Sequence, residues 1–73
     1  MMDYDDMMDT LHTAFVTWCD DNEEEYDDSK EDEFLSIARD RMEEIMVGTD
    51  SLQDAYEIYS EEINDDIAFV MRA

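Results

Sequence analysis

Apolar residues recur along this chain at intervals of three and four, and that spacing leaves amphipathic helices as the only regular elements it can build. Tyr4, Met8, Leu11, Phe15 and Trp18 fall four, three, four and three apart, the stripe by which a helix faces a core. Phe34, Leu35, Ala38, Met42, Ile45 and Met46 make a second stripe, and Leu52, Tyr56, Tyr59, Ile63, Ile67 and Val70 a third. No segment alternates as a strand would, proline is absent and the single glycine is Gly48. The expected fold is all-α, a small three-helix bundle with helices over roughly 3–21, 29–47 and 51–71, and residues 1–73 as a single acidic helical domain.

The boundaries follow from local signals. Acids from Asp20 to Glu25 crowd the negative end of the first helix dipole and predict its end near residues 20–22. Ser29 with Asp32 resembles a capping box for the second helix, Gly48 predicts a left-handed stop, and Asp50 with Gln53 predicts the cap of the third. Phe69 and Met71 add apolar surface that either packs the end of the third helix or seats a homodimer contact. A chain of this size buries only about 60% of its unfolded surface, so the core is thin.

On that core sits a formal charge of −20, from 24 Asp and Glu against Lys30, Arg39, Arg41 and Arg72. Solubility is served by a net charge of roughly 2 to 8 in a small domain, and further like charge destabilises the compact state. The acids are clustered, ten of the 24 lying in residues 20–33. Others repeat four apart, as Asp40 and Glu44, Asp50 and Asp54, Glu57 and Glu61, and Glu62 and Asp66, each pair destabilising a helix by roughly 0.2–0.5 kcal/mol. A charge so costly to folding points to a partner. Nucleic acids and anionic membranes recruit Lys and Arg, so direct binding to either is excluded and the expected partner is a basic protein.

Other chemistries are poorly served. His12 and Cys19 are seven residues apart on one helix, about 10.5 Å at 1.5 Å per residue and too far to share a proton. Cys19 reads as a buried small apolar residue, His12 as a flank residue near Asp9, and no enzyme is expected. An EF-hand starting at Asp20 would place Glu25 where glycine is required, and one histidine cannot supply a di-iron site, so no metal or cofactor is expected. Met8, Met42 and Met46 fall on core stripes, while Met7 and Met71 are candidates for exposure. One cysteine allows no internal disulfide, MMDYDDMMD lacks the features of a signal peptide, and no apolar run approaches the roughly 20 residues of a membrane span. The expected location is cytoplasmic.

Size, charge, helicity and the stretches DDNEEEYDD, EDE and EEINDD make the chain similar to phage-type acidic DNA-mimic proteins, inhibitors of restriction enzymes, CRISPR effectors or nucleoid proteins. That resemblance implies a phage-encoded inhibitor acting in the host cytoplasm, which occupies the cationic groove of a DNA- or RNA-binding protein. The contact residues expected on this reading are Asp20, Asp21, Glu23, Glu24, Glu25, Asp27 and Asp28 as one group and Glu57, Glu61, Glu62, Asp65 and Asp66 as a second. Tyr26, inside the first group, is the best aromatic anchor, ahead of Tyr56 and Tyr59. Over about 30 Å, duplex DNA carries roughly 18 charges, close to what this chain holds. The alternative is an acidic adaptor that binds a basic protein surface such as RNA polymerase. A local likeness pulls a third way: Gly48-Thr49-Asp50-Ser51-Leu52 resembles the G-x-D-S-L segment of acyl carrier proteins, which would place phosphopantetheine on Ser51. Too few residues follow Leu52 for the two further helices of that family.

Overall fold

Three short side chains set where the backbone first turns helical. The computed structural model describes residues 2–72, which form α1 (Tyr4–Asp21), α2 (Asp28–Met46), α3 (Leu52–Tyr59) and α4 (Ile63–Arg72), with no strand among them. The Asp3 carboxylate accepts the Asp6 N–H at 2.8 Å, Asp27 accepts those of Ser29 and Lys30 at 2.8 and 3.3 Å, and the Ser51 hydroxyl accepts that of Asp54 at 3.2 Å. Each occupies donors that the first turn leaves unpaired. The caps of α2 and α3 are therefore Asp27 and Ser51, and not Ser29 and Asp50 as the sequence pattern suggested.

Gly48 does not supply the expected left-handed stop. The last turn of α2 instead tightens, with Val47, Gly48 and Thr49 donating to the carbonyls of Glu44, Ile45 and Met46, three residues back. The left-handed residue is Glu23, at φ 54°. Beyond α1, the Glu24 N–H reaches the Cys19 carbonyl at 2.8 Å and the Glu23 N–H that of Asp20 at 3.3 Å, the paired bonds of a Schellman closure. That position normally favours glycine.

The expected third helix is two. Its apolar spacing continues unbroken, but the backbone turns at 60–62: the Glu62 N–H bonds to Tyr59, three residues back, at 2.8 Å. The Ser60 hydroxyl donates to the Glu57 carbonyl at 2.6 Å, offering the chain an alternative to helical pairing. Glu61 and Glu62 are unfavourable at the end of α3 and favourable just before α4, which also argues for a break there.

The core runs through Met7, Leu11, Phe15 and Cys19 of α1, Phe34, Ala38 and Met42 of α2, Ala55 and Tyr59 of α3, and Ile63, Ile67 and Val70 of α4. Phe15 and Phe34 stack with ring centroids 5.7 Å apart. On α1 the buried residues are spaced four throughout, so the stripe is rotated from the expected one. Met7, expected to be exposed, is buried; Tyr4 is exposed, with its hydroxyl 3.4 Å from Arg39 Nη1, and Met8 and Trp18 are half-buried. The whole measures 36 × 21 × 19 Å.

Candidate acidic interface

The first acidic group spans the end of α1, the connection and the start of α2. Asp20, Asp21, Glu23, Glu24, Glu25, Tyr26, Asp27 and Asp28 are all exposed along this one contiguous segment. Asp27 differs from its neighbours because its carboxylate is engaged in capping α2.

Glu31 holds this connection in place. It is buried, and its two oxygens face two partners: Oε1 accepts the Tyr26 hydroxyl at 2.7 Å and Oε2 lies 2.5 Å from His12 Nδ1. The Tyr26 ring stands edge-on to Phe15 and to His12, with centroids 5.9 and 6.2 Å away. The phenol is pushed well above its ordinary range, first by the bond to Glu31 and then by desolvation and by Asp28. Tyr26 is thus partly a fastener, with 40% of its surface still exposed. Glu31 was not among the expected site residues because it lies in the EDE run. Its signal is positional: with Phe34, Ala38 and Met42 it continues the buried stripe of α2 at spacings of three and four.

The second group divides. Glu57, Glu61, Glu62 and Asp65 are exposed, but Asp66 is buried. Its Oδ2 accepts the Tyr59 hydroxyl at 2.7 Å and lies 2.8 Å from Arg41 Nε, while Arg41 Nη1 is 3.7 Å from Glu62. Asp66 therefore leaves the expected contact group, and Tyr59, fully buried, cannot be an interface aromatic. The turn at 60–62 is the cause, since it sets Tyr59 and Asp66 where one bond spans the break and Arg41 ties it to α2. Burial, then the bond to Asp66, raises the Tyr59 phenol far above its ordinary range. Of the four acid pairs read at helical spacing, only Asp40 and Glu44 lie within one helix. Among the described residues, no buried side-chain nitrogen or oxygen lacks a hydrogen-bond partner.

Positive charge is unevenly placed. Lys30, Arg39 and Arg41 are on α2 and Arg72 ends α4, so α1 and α3 carry no Lys or Arg. His12 pairs with Glu31 and not with Cys19. Cys19 is buried, its thiol pushed up by desolvation and then by the charges of Glu24 and Glu31, the reverse of what a nucleophile needs. Among the described residues no three His, Cys, Asp or Glu side chains gather as a metal site would, and no helix is long and apolar enough to cross a membrane. Ser51 caps α3, and Tyr56, half-buried, borders a cleft beside α1. Phe69 is 67% exposed beside Ile37 of α2.

No protein-family model, curated protein or solved structure matches the chain.

Proposed function

We propose that the protein is a nucleic-acid mimic that inhibits a DNA- or RNA-binding protein in the cytoplasm by occupying its cationic groove. The observation that carries this reading is charge per length. The molecule is 36 Å long and holds −20, and a duplex of that length holds about 21 phosphate charges.

Glu23 supports the same reading. A left-handed position costs a side chain of this kind roughly 1–2 kcal/mol that glycine would avoid, and the chain keeps a carboxylate there amid other carboxylates. Such local strain persists where the surrounding structure over-determines a residue, as the closing bonds of α1 do here, and it clusters at functional sites. The contact surface on this reading is Asp20, Asp21, Glu23, Glu24, Glu25 and Asp28, with Glu57, Glu61, Glu62 and Asp65 as a second patch. Complementary charge steers the encounter and makes binding fall with salt, and the exposed face of Tyr26 adds persistence.

The test is capture of partners from a host lysate at low salt, eluted with duplex DNA in one sample and with matched ionic strength in the other. Selective release by DNA of a nuclease, CRISPR effector or nucleoid protein is expected. Release by salt alone would move the reading to an acidic adaptor on a basic protein surface.

A further inference from the structure

A cleft of about 600 Å³ runs along α1, with Tyr56 of α3 and Asn64 of α4 across from it. Its α1 wall carries Asp9 and Asp21, twelve residues and so about 18 Å apart. None of the four Lys and Arg side chains lines it. Trp18, half-buried, lies one turn before Asp21 on the same wall.

Three features at the Trp18 end converge on one ligand chemistry. The indole face is the strongest aromatic partner for a cation. Asp21 supplies a carboxylate with no cation of its own chain among the cleft's walls. The last turn of α1 has no basic residue, so the negative end of the helix dipole adds to the same field. A planar, weakly hydrated guanidinium suits an aromatic wall beside a carboxylate better than a compact, strongly hydrated ammonium does. We propose that the Trp18–Asp21 end of this cleft is a socket for an arginine side chain of the basic partner protein, the indole stacking on the guanidinium while Asp21 accepts its N–H groups. This rests on the reading that the partner is a cationic protein. Asp21 also belongs to the exposed acidic group, so the socket is continuous with the surface that would meet the partner's groove.

Trp18 is the only tryptophan, which makes its fluorescence a direct report on the socket. The protein is titrated at matched ionic strength with a short arginine peptide and with a lysine peptide of equal length. A saturable change in emission is expected with the arginine peptide, at least about 3-fold tighter than with lysine. Asp21→Asn should weaken arginine binding by about 10-fold, while Glu43→Gln, which removes one charge from α2 away from the cleft, should change it by less than about 2-fold. Circular dichroism checks that both variants keep their helices. Equal response to the two peptides, or equal weakening by the two variants, overturns the socket and leaves mimicry by overall charge standing. Failure of duplex DNA to displace the natural partner overturns mimicry and leaves the arginine preference standing.

Discussion

At the residue scale, two acids that look like surface charges are structural pins. Glu31→Ala removes the acceptor for Tyr26 and the partner of His12, and should lower stability by about 1 to 3 kcal/mol. The diagnostic effect is local: amide exchange should accelerate in residues 23–27 with little change in α3 and α4. Uniform exchange across the chain would show that Glu31 does not hold the connection. Tyr59 allows a sharper test, in pH. Its folded phenol lies above the unfolded value of about 10, so the folded state keeps a proton that the unfolded state releases. Its contribution is then complete below about pH 10 and is lost as pH rises from there toward the folded value. Tyr59→Phe should cost about 1 to 3 kcal/mol at neutral pH and flatten that alkaline loss, as read from thermal melts across pH. Asp66 would retain Arg41.

At the element scale, the ends of helices are where this sequence departs from simple rules. Glu23→Gly should stabilise the fold by up to about 1 kcal/mol by relieving the left-handed backbone, and should weaken partner binding by removing a contact carboxylate. A variant destabilised by this change would mean that Glu23 is held by interactions beyond its backbone bonds. Asp27 behaves in the opposite way, since its loss removes a helix cap of about 1 kcal/mol, so charge reversals aimed at the partner should spare it. The stripes of α2, and of α3 with α4, were legible because 3.6-residue periodicity survives any choice of polar residues on the far face. The break at 60–62 was not, since Tyr59, Ile63, Ile67 and Val70 keep helical spacing straight through it. What distinguishes the site is a serine hydroxyl competing for a carbonyl and two glutamates at the junction of opposed dipole ends, a signal composition obscures. The phase of α1 was ambiguous because both Met7 and Met8 offer an apolar side chain, and packing in the bundle buried the former. Of the candidate site, exposure of the connection could be read from its charge. The roles of Glu31 and Asp66 could have been found by asking why an acid falls on an apolar stripe.

At the scale of the whole molecule, a thin core under −20 charges sets the response to salt. The Debye length is about 10 Å at 0.1 M, shorter than any dimension of the body, so moderate salt should screen repulsion between patches. Melting temperature should rise with added sodium chloride while partner affinity falls. Parallel falls in both would mean that the acids are held by attractive pairing. A dimer through exposed Phe69 would likewise form only as salt rises, which sedimentation would detect. Residues 20–28 hold seven carboxylates and no Lys or Arg, whereas α4 nets only −1 from Asp65, Asp66 and Arg72, and that imbalance acts before any contact is made. With negative charge weighted toward one segment, a distant cationic groove exerts a torque as well as a pull. The molecule would arrive already turned, residues 20–28 leading, and its rate of productive encounter would exceed that of a body with the same charge spread evenly.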